Sequence, residues 1–114
     1  MTTETKFRLN ELQKHVEYIA KEISSGTFDC EEAQEEGREP SAYDYLSDVL
    51  EIQYLVDSNK EYLSARILVS FGGPNIWIDT RSKKVEGYWW GDYEEAGFTD
   101  EIGLNDACED IFSC

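Results

Sequence analysis

Apolar residues follow a helical period in the first part of the chain. Between residues 6 and 25, hydrophobic side chains recur every three or four positions, which places them on one face of a helix. The members of this apolar stripe are Leu9, Leu12, Val16, Ile19 and Ile23. Gly26 follows directly, and glycine suits the left-handed backbone that ends many helices. The pattern predicts an amphipathic helix over residues 6–25 that covers one face of a sheet.

The period changes to two between residues 63 and 92. Leu63, Ala65, Ile67, Val69 and Phe71 alternate with more polar residues, which is typical of a half-buried strand. Two further strands follow at residues 76–80 and 85–90, after tight turns at residues 72–75 and 81–84. Connections this short join antiparallel neighbours. This stretch is therefore predicted to form a β-meander, around which the rest of the chain is organised.

A second helix and a fourth strand are predicted before the meander. Ser41 is a suitable helix N-cap, and Asp44 three residues later completes a capping box with Asp in place of Glu. The predicted apolar face of this helix holds Ala42, Tyr45, Leu46, Val49 and Leu50. Alternation then begins near Glu51, so residues 51–57 are predicted to be a strand and residues 58–60 a turn. Helix through residue 54 is the alternative at this boundary.

The end of the chain is predicted to be mostly irregular. Residues 93–103 contain two glycines and have no clear period, so we expect a loop. Asn105 is then expected to cap a short helix over residues 106–112 that buries Leu104, Cys108 and either Ile111 or Phe112. The predicted fold class is α+β in the order α-α-β-β-β-β-α. A four-stranded antiparallel meander sheet is packed by two N-terminal helices and a short C-terminal helix.

Length and composition indicate one folded domain over residues 1–114. The 114 residues include 15 aromatic side chains, enough apolar area to support a core despite the high charge. No apolar run approaches the roughly 20 residues that span a bilayer, and the first residues lack a signal-peptide pattern. We therefore expect a cytoplasmic protein. Its three cysteines are expected to be free thiols, with a Cys108–Cys114 disulfide as the alternative.

Negative charge is concentrated in two segments. The chain has 25 acidic and ten basic residues, a net charge of −15. Residues 29–58 carry a net charge of −9 and residues 92–114 a net charge of −8, whereas residues 59–91 carry +2. Such segregation creates a directional field that repels nucleic acids and anionic membranes. The predicted partner therefore has a basic surface, although a solvated loop is an equal alternative for the acidic connection at residues 27–40.

Sequence signals for catalysis or cofactor binding are weak. Gly72 and Gly73 precede Pro74 and no predicted helix, so they do not form a phosphate-binding loop. One histidine, His15, and three scattered cysteines do not match a zinc site. Asp92, Glu94 and Glu95 are closely spaced but lack the twelve-residue loop of a calcium site. The sequence predicts a non-enzymatic protein without a cofactor.

Aromatic residues are concentrated at the end of the meander, in the string Tyr88-Trp89-Trp90-Gly91-Asp92-Tyr93. Along a strand, Trp89 faces opposite to Tyr88 and Trp90. Such rings can fill the core or, when exposed beside acidic residues, anchor an interface. Both interpretations remain open at this point for Trp90 and Tyr93.

The meander also carries a family resemblance. The string GGPNIWIDTRSKKVEGYWWGD, preceded by ARILVSF and followed by an acidic segment, resembles a family of small acidic proteins. Members of that family occur on plasmids, conjugative elements and phages of Gram-positive bacteria. Some of them are similar to anti-CRISPR proteins that block the type II CRISPR nuclease. The resemblance spans about 30 residues, Leu63 to Asp92, with weaker agreement over residues 41–57, and it implies a fold but no set of functional residues.

Charge and resemblance together predict a non-catalytic inhibitor of a nucleic-acid-binding host-defence enzyme. In this hypothesis, carboxylates replace DNA or guide-RNA phosphates on a type II CRISPR effector nuclease. The predicted contact residues are Asp29, Glu31, Glu32, Glu35, Glu36, Asp92, Glu94, Glu95, Asp100 and Glu101, with Trp90 and Tyr93 as aromatic anchors. The alternatives are an antirestriction protein and an acidic adaptor of a mobile element. The chain itself is expected to bind neither nucleic acid nor membrane, and to be a monomer or a weak homodimer.

Overall fold

The computed structural model describes the backbone of residues 3–114 and the side chains of residues 10–114. Over this part of the chain, four helices accompany one five-stranded antiparallel sheet. The helices are α1 (Thr3–Ser25), α2 (Glu31–Glu35), α3 (Ala42–Ser47) and α4 (Leu104–Ser113). The strands are β1 (Glu51–Val56), β2 (Tyr62–Ser70), β3 (Asn75–Asp79), β4 (Lys84–Trp89) and β5 (Asp92–Gly97). The predicted α+β class is confirmed.

Each strand lies beside its neighbour in sequence, in the order β1-β2-β3-β4-β5. The predicted meander is confirmed, but the prediction of four strands was wrong. Residues 93–97, predicted to be part of a loop, belong to the edge strand β5, in which Tyr93 pairs with Tyr88. Trp90 and Gly91 make the connecting turn with φ values of 54° and 85°, and two-residue hairpin turns favour such positive angles at both positions. The turn therefore adds a fifth strand to the meander, although the two glycines within residues 93–103 indicated a loop.

Sheet register assigns the two faces of the sheet. Ile67 lies opposite Ile78, which lies opposite Val85, so these three fully buried residues share one face. The neighbouring positions Arg66, Asp79 and Lys84 lie opposite one another on the other face. Because the sheet residues of the core all belong to the first face, the helices form a single layer over it. The second face, which we call the open face, carries no helix among the described residues.

Helix α1 packs across β4 and β5. Leu12, Val16 and Ile23 are fully buried and Ile19 is half-buried, which confirms the apolar stripe over the described side chains. Leu9 lies outside that range. The helix begins at Thr3, three residues earlier than predicted.

Gly87 of β4 permits the close approach of α1. A methyl group added at this position would lie 2.7 Å from Val16 Cγ1 and 2.8 Å from Leu12 Cδ1. Carbon atoms in contact are normally about 3.5–4.0 Å apart, so any larger residue would push against the Val16 and Leu12 side chains. The lack of a side chain at Gly87 therefore lets α1 pack this closely on β4.

Helix α3 ends before the last residues of its predicted apolar face. The capping box between Ser41 and Asp44 is present, and Ala42 and Leu46 are buried as predicted. Leu50 was wrongly assigned to the apolar face, because it is 60% exposed and its N–H already donates to Leu68 in the sheet. Sheet pairing therefore sets the boundary.

Both ends of the first meander strand also differ from the alternating pattern. Leu63 and Phe71 are exposed, whereas Ala65 and Ile67 are buried as predicted. The pairing of β2 shifts register near both ends, where Leu63 is skipped opposite β1 and where Leu68 and Ser70 pair with β3, and these shifts interrupt the alternation. Alternation therefore correctly assigned the middle of β2 and not its ends.

Helix α4 is capped by Asp100 rather than by Asn105. The Asp100 carboxylate accepts backbone hydrogen bonds of 2.9, 2.8 and 3.0 Å from Gly103, Leu104 and Asn105. The Asn105 side chain instead accepts hydrogen bonds from the hydroxyls of Tyr62 and Thr80. The capping prediction was wrong because a buried hydroxyl pair requires the Asn105 amide as acceptor.

The last turn of α4 resolves an alternative left open by the sequence. The Phe112 ring contacts the rings of Tyr54 and Tyr62, whereas Ile111 is partly exposed. Leu104 and Cys108 are fully buried, as predicted. All three cysteines are free thiols, so Cys108 and Cys114 do not form a disulfide.

Candidate partner-binding surfaces

The first acidic segment contains the short helix α2. Ala33 anchors α2 because its side chain is fully buried. Five acidic residues around this anchor are exposed, namely Asp29, Glu31, Glu32, Glu35 and Glu36. Cys30, not Asp29, occupies the N-cap position, so the Asp29 carboxylate is not used for capping. The segment therefore presents its carboxylates on an ordered turn of helix.

Arg38 is the single basic residue between Lys21 and Lys60. Its guanidinium contacts Glu36 and forms two hydrogen bonds, of 2.7 and 3.0 Å, with the Asp44 carboxylate. These bonds, together with the hydrogen bond from the Ser41 backbone, hold the pKa of Asp44 well below its usual range. Arg38 therefore compensates the charge of two acidic residues next to α2.

The remaining acids of the segment keep their charge uncompensated. Across the described side chains, the ion pairs do not involve Asp29, Glu31, Glu32 or Glu35. Four of these acidic side chains line a shallow cleft with Ser47 and Asp48 at the end of α3. Helices α2 and α3 thus share one negatively charged surface.

A hydrogen bond extends this surface to the C-terminal helix. The Tyr43 hydroxyl donates a 2.7 Å hydrogen bond to Asp110, and Asp106 lies close enough to contribute to raising the pKa of Tyr43. Asp106 and Asp110 are both exposed. We define the helical acidic surface as Asp29, Glu31, Glu32, Glu35, Asp48, Asp106 and Asp110. It joins acids from the two segments that were separate in the sequence.

The other predicted acidic residues lie elsewhere. In β5, Asp92 pairs with Trp89 and Glu94 with Gly87, which places both acids on the helix-covered side of the edge strand. Glu95 faces the open side. Asp100 caps α4, and Glu101 is exposed beside Gly26 at the end of α1. The structure thus divides the predicted contact residues among α2, β5 and the segment between β5 and α4.

The open face carries a cluster of aromatic and charged side chains. The rings of Tyr88 and Tyr93 lie 4.9 Å apart between centroids. Beside them, the Arg66 guanidinium lies 4.7 Å from the Trp77 ring centroid and 3.4 Å from the Glu86 carboxylate. Sequence reasoning missed all of these except Tyr93. The signal was present, because Arg66, Trp77 and Glu86 occupy the non-core positions of their strands.

Glu95 and Tyr93 continue this cluster to the sheet edge. The Tyr93 hydroxyl donates a 2.6 Å hydrogen bond to Glu95, which also pairs with Lys84 at 2.9 Å. Partial burial and the Glu95 hydrogen bond raise the pKa of the Tyr93 hydroxyl. The same two hydrogen bonds lower the pKa of Glu95, so this carboxylate is charged at neutral pH. Tyr93 is 42% exposed, and its ring is therefore accessible from solvent.

Trp90 lies outside the core. It is 82% exposed at the tip of the β4–β5 turn, next to Gly91. The alternative in which Trp90 packs in the core is therefore excluded.

Metal-ligating side chains do not cluster in the described part of the chain. No group of three or more His, Cys, Asp or Glu side chains there has a metal-binding arrangement. The Glu22 carboxyl has a raised pKa, caused by burial and then by the charge of Asp29, but it lines an open cleft. Over the same residues, none of the helices is both long and apolar enough to cross a bilayer.

Comparison with family models, with curated proteins and with solved structures finds no match to this chain. The function is therefore inferred from the helical acidic surface and the open face.

Proposed function

We propose that this protein is a non-catalytic inhibitor of a basic, nucleic-acid-binding host-defence enzyme. The proposed target is a type II CRISPR effector nuclease in a bacterial host cell, alone or with guide RNA bound. The helical acidic surface is the proposed contact, since it replaces nucleic-acid phosphates on the target. The protein needs no cofactor for this role.

One observation supports the proposal most strongly, namely the exposed and uncompensated carboxylates of α2 beside those of α3 and α4. The α2 acids border Asp48 at the end of α3, and the 2.7 Å hydrogen bond between Tyr43 and Asp110 links α3 to α4. Duplex DNA presents about one negative charge per 1.7 Å of helix axis, and enzymes that bind it have dense basic channels. An ordered group of carboxylates on a small rigid domain is suited to such a channel. The sequence resemblance to mobile-element proteins points to the same class of target.

Helical order favours mimicry over a purely solubilising charge. An acidic loop would lose backbone conformational entropy on binding a basic channel, whereas the backbone of α2 is already ordered and anchored by the buried Ala33. Arg38 links the end of this segment to α3 through Asp44. The backbone that carries the carboxylates is therefore ordered before a partner arrives.

Charge reversal at three positions of α2 tests the proposal. The variant Glu31→Lys, Glu32→Lys and Glu35→Lys should lose inhibition of DNA cleavage by a guide-loaded type II CRISPR nuclease. A control with the same change in net charge carries Glu17→Lys, Glu51→Lys and Glu61→Lys at exposed positions outside the surface. We expect the control to inhibit like the parent protein. Equal inhibition by parent and surface variant would exclude mimicry through α2.

The same variants test the antirestriction alternative. A restriction enzyme replaces the CRISPR nuclease in an otherwise identical cleavage assay. Inhibition of the restriction enzyme but not of the CRISPR nuclease would mean that the protein mimics nucleic acid on restriction enzymes instead. Circular dichroism of each variant checks that loss of inhibition does not reflect unfolding.

A second candidate function is that of an acidic adaptor, and the open face favours it. Tyr88, Tyr93 and Trp90 expose aromatic area on or beside the open face, which carries no acids of the helical acidic surface. An adaptor that binds through these rings should show little dependence of affinity on salt. Binding through the helical acidic surface should weaken steeply as salt rises. Affinity measured at two salt concentrations separates the two functions.

A further inference from the structure

The turn residue Trp90 has a conformation that its side chain does not favour. Its φ is 54°, in the left-handed region that bulky residues seldom adopt, and the same turn contains Gly91 with φ of 85°. Two-residue turns of this kind favour Asn or Asp at the first position, followed by Gly. Nor does core burial explain the tryptophan, because it is 82% exposed. A strained and exposed tryptophan indicates selection for contact with a partner.

Trp90 lies beside the aromatic pair of the open face. Tyr88 is the penultimate residue of β4 and Tyr93 the second residue of β5, and they are directly paired across the hairpin that Trp90 closes. Tyr88 and Tyr93 are 39% and 42% exposed, respectively. Three accessible rings are therefore grouped at one end of the open face. Trp and Tyr are also the residues most enriched in interface hot spots.

The open face already binds one guanidinium within the chain. Arg66 lies between the Trp77 ring, at 4.7 Å, and two carboxylates, Glu86 at 3.4 Å and Asp79 at 3.9 Å. A planar cation is thus held by an aromatic ring on one side and acidic groups on the other. This geometry combines cation–π attraction with charge pairing.

The Tyr88–Tyr93 pair adds two exposed rings beside this site, and Arg66 lies close enough to Tyr88 to influence the pKa of its hydroxyl. The Tyr88 hydroxyl donates to Glu86 over a long 3.4 Å, whereas the Tyr93 hydroxyl lies 3.4 Å from Glu86 and donates to Glu95 instead. Glu95 lies on the other side of Tyr93 and is charged. A second guanidinium would stack on the exposed tyrosine rings, sharing Glu86 with Arg66 and Glu95 with Lys84. The 3.4 Å contacts of Glu86 with Arg66 and Tyr88 are long, so this carboxylate is able to accept a further hydrogen bond.

We propose that the open face binds arginine side chains of a basic protein segment at the Tyr88–Tyr93 pair, with Trp90 as an aromatic anchor. Charge favours this occupant: Asp79, Glu86 and Glu95 outnumber Arg66 and Lys84 on this face. Nucleic-acid phosphates would meet the same carboxylates and be repelled. A second copy of this chain would bring a further net charge of −15. The inference concerns a different face of the molecule from the helical acidic surface and goes beyond the proposed function.

The test is a titration of the isotope-labelled protein with a capped peptide of alternating arginine and glycine, followed by NMR. We expect the largest shifts at the Trp90 indole N–H and at the amides of β4 and β5. A lysine–glycine peptide of equal length should bind more weakly, because lysine lacks the planar guanidinium. Trp90→Asn should weaken arginine-peptide binding about threefold or more, an exposed cation–π contribution.

Trp90→Asn has a useful second property. Asn-Gly is the favoured sequence for this turn, so the variant should melt at a higher temperature than the parent while binding less. Tyr18→Gln removes an exposed tyrosine from α1 and serves as the control, with unchanged affinity expected.

Several results would overturn the inference. One is a set of peptide shifts confined to the helical acidic surface, and another is unchanged affinity in Trp90→Asn. Equal binding of the lysine peptide at the same residues would show that net charge alone, and not the planar guanidinium, drives binding. A short oligothymidylate that shifts Trp90 would assign the rings to nucleic acid, and concentration-dependent shifts without peptide would assign them to self-association. None of these results depends on CRISPR nuclease inhibition, so the two proposals fail independently.

Discussion

The Tyr43 hydroxyl of α3 donates a 2.7 Å hydrogen bond to the Asp110 carboxylate of α4, across 67 residues of sequence. Between them in the chain lies the whole five-stranded sheet. This bond connects α3, which lies within the first acidic segment, to α4, which ends the second. The two acidic segments therefore meet in one surface on the helical layer.

Removing this hydroxyl should loosen the contact between α3 and α4. Tyr43→Phe is expected to lower the free energy of unfolding by about 0.5–1.5 kcal/mol, the usual net value of a hydrogen bond. Urea unfolding followed by circular dichroism measures the change. Tyr18→Phe on the exposed side of α1 is the matched control and should have almost no effect. Equal effects of the two changes would mean that the bond contributes nothing to stability.

The close contact of α1 with β4 predicts that adding one methyl group destabilises the fold. Gly87→Ala should lower the free energy of unfolding by about 1–3 kcal/mol, since overpacking must displace Val16 and Leu12. Gly97→Ala in β5 is the control, because the added methyl group would lie an ordinary 3.8 Å from the Lys83 carbonyl oxygen. Thermal unfolding of both variants tests the packing. A stable Gly87→Ala variant would show that α1 is not seated as described.

The carboxylate of Asp100 serves the fold through three backbone hydrogen bonds. Asp100→Ala should therefore destabilise the protein by about 1–2 kcal/mol, the range measured for lost helix caps. Asp106→Ala removes an exposed acid from the first turn of the same helix and should lower the free energy of unfolding by less. If Asp100 acts only as a partner contact, unfolding of Asp100→Ala will match that of the parent and only binding will change.

The ion pair of Asp44 predicts a dependence of stability on pH. Its pKa is lower in the folded protein than the ordinary value of 3.8, mainly because of the Arg38 hydrogen bonds. The stabilisation is therefore complete above pH 3.8 and is lost as pH falls through the lower folded pKa. Asp44→Asn should differ from the parent in unfolding free energy at neutral pH, and the two should converge in acid. A difference that persists at low pH would argue against this pair as its source.

Local sequence patterns were sufficient for the elements that depend on local chemistry. The stripe of Val16 and Ile23 identified the face of α1, and Ser41 with Asp44 identified the start of α3. Alternation correctly assigned Ala65 and Ile67 to the core. In each case, the pattern and the physical cause lie within a few residues of each other.

The rest depends on contacts between distant residues. Asn105 has the chemistry of a cap, yet Tyr62 and Thr80 take its side chain, and Asp100 caps the helix instead. Strand β5 was missed for a different, local reason, because the tight turn between Tyr88 and Tyr93 contains a tryptophan, which such turns do not favour.

The candidate surfaces were predictable only in composition. The acids of α2 were identified from charge alone, and their exposure agrees with that assignment. Their junction with α4 through Tyr43 could not be inferred, because it requires the order of the helices on the sheet. The cluster of Arg66, Trp77 and Glu86 is likewise assembled from three strands.

The most direct measurement of the central claim is the salt dependence of affinity for a guide-loaded type II CRISPR nuclease, in competition with target duplex DNA. If the helical acidic surface replaces phosphates, affinity should fall steeply with rising salt and target DNA should displace the protein. The variant Glu31→Lys, Glu32→Lys and Glu35→Lys should lose both the affinity and most of the salt dependence. Affinity that is independent of salt, or equal in this variant, would contradict the account.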